Sequence, residues 1–226
     1  MFFALEPGRA VLSDLNRELI AAYSAIKDDW MGVASLLGRY QLQHSKTFYY
    51  EMRRSEPPSE SARAARFIYL NRTCWNGLYR VNLRGEFNVP KGTKENVVLE
   101  TDDFRRLSLA LERASLVASD FEPIIRRACK GDLIFADPPY VTSHSNNGFL
   151  KYNEKLFSWD DQVRLRDCLL EAKEKGVHVL ATNADTPPIR KLYEEHFSVR
   201  SVTRSSVIAA GPDRRGVTSE LIVTSS

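Results

Sequence analysis

Asp137, Pro138, Pro139 and Tyr140 stand in a row directly after the apolar run Leu133, Ile134, Phe135 and Ala136. Read as a buried strand, that run delivers an acid, two prolines and an aromatic ring to its C-terminal end, where open α/β sheets bind their ligands. Adjacent prolines fix φ and carry no N–H, so the backbone after Asp137 is stiff and its carbonyls stay out of helical hydrogen bonding. A carboxylate, a bare carbonyl and a flat ring together suit an exocyclic amine on a planar base, which has two hydrogens to donate and a face to stack. The plainer alternative is an Asp-Pro turn with a packed tyrosine, because Asp and Pro are ordinary turn residues.

A second concentration of chemistry lies upstream. Between Arg63 and Lys94 stand seven basic residues, Arg63, Arg66, Arg72, Arg80, Arg84, Lys91 and Lys94, against one acid, Glu86, a local charge of +6 in a chain whose net charge is only +3. A basic stripe of that kind is the footprint of phosphate contacts, and the alternative is a solvated surface. Cys74, Cys129 and Cys168 are odd in number and widely spaced, and the four histidines follow no ligand spacing, so neither a disulfide framework nor a metal site is expected. No apolar run reaches the length of a membrane span, and Met1 to Ala4 lack the basic flank of a secretion signal. The expectation is a cytoplasmic globular protein of ordinary composition, 43% hydrophobic and 27% charged over 226 residues.

The elements that must position these groups read as α/β on either side of an insertion. Arg9 to Ser13 reads as a strand ending at Asp14, with Leu15, Leu19, Ile20 and Tyr23 then at helical spacing. From about Trp30 to Ala110 strand alternation is largely lacking, and a helical insertion is expected. Within it Asn76-Gly77 and Arg84-Gly85 flank Leu78, Val81 and Leu83 as a looped-out hairpin. Ser115 to Ala118 is a strand, Phe121 to Cys129 a helix and Leu133 to Ala136 a strand. Val141 to Phe157 is a polar loop over the tetrad. Ser158 caps a helix with the buried stripe Leu165, Cys168, Leu169 and Ala172, ending at Gly176. Val177 to Ala181 is the next strand and Pro187 opens a helix to about His196. Val199 to Ile208 and Glu220 to Thr224 close the sheet as an antiparallel pair around the Gly211 to Gly216 loop.

In this order the parts resemble the Dam-type adenine-specific DNA methyltransferases. Three anchors carry the resemblance: Leu12-Ser13-Asp14-Leu15-Asn16; the stretch from Leu70-Asn71-Arg72 through Asn76-Gly77-Leu78-Tyr79-Arg80 to Asn82-Leu83-Arg84-Gly85-Glu86-Phe87-Asn88-Val89-Pro90; and the Asp-Pro-Pro-Tyr tetrad. The resemblance implies a Rossmann-like α/β methyltransferase sheet, mostly parallel with an antiparallel C-terminal pair. Residues 1–29 and 111–226 would form the catalytic domain and residues 30–110 the DNA target-recognition insertion. It implies S-adenosylmethionine as cofactor, held by Asp14 at the ribose hydroxyls, by Asp120 near the adenine and by Asp137, with a helix cap as the alternative role for Asp14 and for Asp120. Asp137, Pro138 and Tyr140 would be catalytic, acting on an adenine flipped out of duplex DNA, with Asn183 helping to shape the pocket or serving a turn. Trp75, Asn76, Leu78 and Arg80 would lie at base edges and Pro90 close to the outer base pair, with Arg72, Arg84, Lys91 and Lys94 as backbone anchors. A GATC or related GA-containing site, action as a monomer, and a restriction, phage or housekeeping setting follow from the same likeness.

The chain also departs from that family. Its members begin with a basic aromatic segment and a strand ending in a Gly-rich loop, and Met1 to Leu5 resembles the helix immediately after that loop. The expectation is an incomplete copy in which the strand before Asp14 and the strand before Asp137 lose a shared partner. Two other functions compete: a DNA-binding remnant that does not methylate, and a methyltransferase acting on guanine in ribosomal RNA.

Overall fold

A computed structural model describes residues 1–82, 84–140, 157–205 and 217–225. Two compact units divide the chain, Met1–Asp120 and Phe121–Ser226. The expected loop over the tetrad, apart from Phe157, the loop from Gly211 to Gly216, the end of its leading strand at Ile208, and Leu83 all fall outside the described residues.

Unit 1 opens with a single helical turn, α1 (Phe2–Leu5), and strand β1 (Ala10–Asp14). Asn16 then caps the long helix α2 (Arg17–Gln43), its side chain accepting from the backbone N–H groups of Glu18 and Leu19. α2 bends at Asp29, whose φ/ψ of −146° and 61° are not helical. The carboxylate of Asp29 restarts the helix as an internal cap: Oδ1 accepts from Gly32 N at 2.9 Å and Oδ2 from the Ser61 hydroxyl at 2.6 Å. A Cβ on Gly32 would lie 2.0 Å from Asp29 Oδ2, so glycine leaves room for the capping carboxylate in this position. Helices α3 (Lys46–Arg54), α4 (Glu60–Thr73) and α5 (Phe104–Leu111) pack around α2, and β2 (Ala114–Ala118) pairs in parallel with β1. The core contains Val33, Leu37, Tyr49, Ala65, Tyr69, Leu70, Val97 and Leu111. Residues between 30 and 110 share this core with Ala22, Ala25 and Ala114 inside the unit Met1–Asp120.

Unit 2 holds a sheet in the order β3 (Leu133–Ala136), β4 (His178–Ala184), β6 (Val217–Thr224) and β5 (Ser198–Ser205). β3 and β4 are parallel, with Ala136 opposite Ala181, whereas β4–β6 and β6–β5 are antiparallel. Helices α6 (Phe121–Ile125), α7 (Trp159–Glu174) and α8 (Pro187–Tyr193) complete the unit. α7 starts at a reciprocal capping box between Ser158 and Asp161 and buries Leu165, Cys168, Leu169 and Ala172, the stripe expected from spacing. It stops before Gly176, which takes the left-handed φ of 80° that glycine adopts without strain. The helix expected over Phe121 to Cys129 is shorter, ending at Ile125. The mixed α/β fold with an antiparallel C-terminal pair is the expected one, but the described strands form two sheets, and in the four-stranded sheet two of the three pairings are antiparallel. Among the described strands β1 pairs with β2 alone and β3 with β4 alone.

Candidate active site and nucleic-acid interface

β3 ends at Ala136 and hands the chain to Asp137, which is exposed, while Pro138 is buried and Tyr140 half-buried. Because β4 runs parallel to β3, its last residues flank the tetrad. Thr182 donates its hydroxyl to Asp137 Oδ1 at 2.5 Å, fixing one carboxylate oxygen through a short charge-assisted bond. Burial pushes the Tyr140 phenol above its ordinary value; a hydrogen bond with Thr182 opposes that shift, and the charge of Asp137 adds to it. The three side chains therefore form one cluster. From α7, the fully buried Gln162 reaches the carbonyl of Pro139 at 3.4 Å and accepts from Asn183 Nδ2 at 2.9 Å. Asn183 thus sits inside unit 2 as a packed polar contact, not as a surface turn.

In unit 1, Asp14 ends β1 with an exposed side chain whose Oδ1 accepts from Asn16 N at 2.7 Å. The cap of α2 falls to Asn16, so Asp14 is not consumed as a helix cap, and its exposed carboxylate fits recognition of paired hydroxyls. Asp120 follows β2 at one residue's remove, its backbone carbonyl accepting from the Ser119 hydroxyl.

The hairpin is present and firmly rooted. Trp75 N donates to the Pro90 carbonyl, Asn88 N to that of Arg80 and Asn82 N to that of Glu86, with a turn through Gly85 at φ 79°. Its returning strand is clamped at Val89, whose carbonyl accepts from the buried Tyr49 hydroxyl at 2.9 Å and from Arg53. Tyr79 packs between Phe67 and Phe87, and its hydroxyl donates to Glu18 at 2.6 Å. At the outer edge Trp75 is 49% exposed, Asn76 takes a left-handed φ of 55°, and the Arg80 guanidinium is steadied by Asn88 Oδ1 at 2.8 Å. Arg84, Pro90 and Lys94 are exposed.

Three residues expected at the DNA make contacts within unit 1. Arg72 makes a two-pronged pair with Asp102 at 2.6 and 2.7 Å and donates to the Val97 carbonyl at 2.7 Å, so its guanidinium is occupied inside unit 1. Lys91 pairs with Glu95 at 2.7 Å with only 14% of its side chain exposed, and Leu78 packs half-buried against the core. A charge count along the sequence leaves Arg72 free because Asp102, the acid that occupies it, lies thirty residues away.

With this geometry in place, comparison with known proteins decides the family. The model of the D12 class N6 adenine-specific DNA methyltransferases matches residues 1–208. The chain belongs to that family. Relatives include the type II methyltransferase M1.LlaDCHI of Lactococcus lactis subsp. cremoris, 36% identical over 99% of this chain and 82% of its own length. The DNA N-6-adenine-methyltransferase of Escherichia phage P1 is 32% identical over 94% of this chain and 29% of its own length. The DNA adenine methylase of Escherichia coli K12 is 28% identical over 96% of this chain and 80% of its own. The D12 assignment makes the chain an adenine-specific DNA methyltransferase and sets aside ribosomal RNA. Among its described residues no helix is long and apolar enough to cross a membrane.

Two residues in this D12 site escape a reading of motifs. Thr182 lies at the end of the strand beside the tetrad's, and parallel pairing brings it to Asp137. Gln162 lies three residues before Leu165, in phase with the apolar stripe of α7, and a polar residue in that phase is the signal available in sequence.

Proposed function

We propose that the chain transfers a methyl group from S-adenosylmethionine to the exocyclic amine of an adenine flipped out of duplex DNA, at GATC or a related GA-containing site, as a monomer. The observation that carries the reading is the exposed Asp137 carboxylate held by Thr182 beside Pro138 and Tyr140. Adenine's amine is a weak nucleophile because its lone pair is spread into the ring. Asp137 and the Pro138 carbonyl accept its two hydrogens, which localises that pair and stabilises the positive charge growing on nitrogen. Tyr140 stacks on the extruded base, and about 1–3 kcal/mol of stacking offsets part of the cost of leaving the duplex.

The cofactor supplies an electrophilic methyl group. Asp14, exposed at the end of β1, would receive its ribose hydroxyls, with Asp120 near its adenine and Asp137 at the methyl end. Arg80, Asn76 and Trp75 would read base edges beside Pro90, while Arg84 and Lys94 hold phosphates without specifying sequence.

The test is transfer of label from S-adenosylmethionine to N6 of adenine in a GATC duplex, compared with a GGCC duplex. Wild-type chain should label GATC alone, and Asp137→Ala should lower the rate by about a hundredfold or more. Equal rates for the two proteins would overturn the assignment of Asp137. Duplex binding without any transfer would leave the chain a DNA-binding remnant of its family.

A further inference from the structure

Behind the tetrad lie two amides that packing alone does not require. Gln162 on α7 is 0% exposed and Asn183 on β4 is 1% exposed. A buried amide left unmatched costs about 1–3 kcal/mol, so its partners dictate which way it faces. Ala184 N donates to Asn183 Oδ1 at 2.8 Å, and because a backbone N–H only donates, this contact fixes the oxygen end of Asn183. Asn183 Nδ2 then donates to Gln162 Oε1 at 2.9 Å, which turns Gln162 Nε2 toward the Pro139 carbonyl at 3.4 Å. The relay has one polarity along its whole length, from a backbone N–H through two amides to a backbone carbonyl.

The end of that relay matters because of the residue it grips. The ring of Pro139 locks its φ, so only ψ of Pro139 separates its carbonyl from the peptide plane before it, and restraining that carbonyl narrows the range open to the carbonyl of Pro138. We propose that Gln162, oriented by Asn183, is a positioning residue that aims the Pro138 carbonyl at the target amine. The inference rests on the methyl-transfer reading above. Gln162 touches no substrate atom and acts through Pro139.

The experiment compares the wild-type chain with Asp137→Ala, with the double variant Gln162→Met/Asn183→Leu and with Asn183→Asp, in single-turnover methyl transfer to a GATC duplex and in thermal melting. Replacing both amides by apolar side chains of similar volume leaves no unmatched partner between them, though Ala184 N and the Pro139 carbonyl lose theirs, so the double variant should fold and melt a few degrees below wild type. Its kcat should nevertheless fall about tenfold or more, with KM for DNA changed by less than about twofold, because aim is lost and binding is not. Asn183→Asp cannot donate to Gln162 while ionised; Gln162 then turns over and presents oxygen to the Pro139 carbonyl. Its kcat should fall likewise and recover as pH is lowered and the buried carboxyl regains a proton. That recovery decides the matter if the double variant does not fold. Wild-type kcat in either folded variant, or a fall in kcat that shows no recovery at low pH in Asn183→Asp, would overturn the proposal while Asp137→Ala remains inactive. Equal background transfer by wild type and Asp137→Ala would overturn the methyl-transfer reading itself, and this inference with it.

Discussion

A carboxylate that accepts hydrogens from a weak nucleophile works best with one oxygen anchored and the other presented, and Thr182 supplies the anchor at Asp137. A hydrogen bond to a charged group contributes about 1.5–3 kcal/mol. Thr182→Val keeps the shape of the side chain and removes the donor, so it should lower kcat about tenfold. Thr182→Ser should retain most of the rate, and a single-turnover assay separates the two. On the proposed reading the ring and the hydroxyl of Tyr140 do separate work. Tyr140→Phe should keep the flipped base stacked, whereas Tyr140→Ala should weaken its capture by about 1–3 kcal/mol, read from 2-aminopurine fluorescence at the target position.

At the scale of elements, the two arginines flanking the hairpin's first turn have opposite expectations. Burial pushes the Asp102 carboxyl up, but hydrogen bonds from Arg72 and Leu99 N outweigh it and hold the group below its ordinary value. Arg72→Ala strands that carboxylate and should cost about 2 kcal/mol of stability, seen as a lower Tm. Arg80→Ala, on an exposed side chain, should leave Tm unchanged and relax preference among duplex sequences. At the start of α8, Asp185 pairs with Arg190 at 2.6 Å and accepts from the Ser201 hydroxyl at 2.5 Å, tying the helix to β5. Arg190 first, then Ser201, lower the Asp185 carboxyl to about 2. A lowered carboxylate stabilises the fold above the unfolded value near 4 and ceases to as pH falls through about 2. Asp185→Asn should therefore lower stability on the order of 1 kcal/mol at neutral pH, and the difference from wild type should vanish between about pH 4 and 2. Most of these elements are legible in the sequence. The stripe of α7, its Ser158 cap and the run from Leu133 to Ala136 follow from local periodicity. The re-capping of α2 by Asp29 and Gly32 is local, but the hydrogen bond that ties the cap to Ser61 on another helix is not legible. Nor is the occupation of Arg72, whose acid is thirty residues away.

For the molecule as a whole, the surplus of charge is local: +3 overall but +6 between Arg63 and Lys94. Arg72 and Lys91 direct theirs to Asp102 and Glu95, which leaves Arg84 and Lys94 among the exposed cations of that stretch. Removing one cation that neutralises a phosphate should reduce the steepness of binding against log salt by about 1, so Arg84→Ala should show that change in a titration series. β3 carries a different kind of consequence. Leu133 is 50% and Phe135 44% exposed on a strand that pairs, among the described residues, with β4 alone. A rim that combines open amides with greasy side chains invites clumping in concentrated solution, ahead of any chemistry at its far end. Swapping Leu133 for lysine should raise the concentration at which light scattering begins and leave the circular dichroism spectrum as it was.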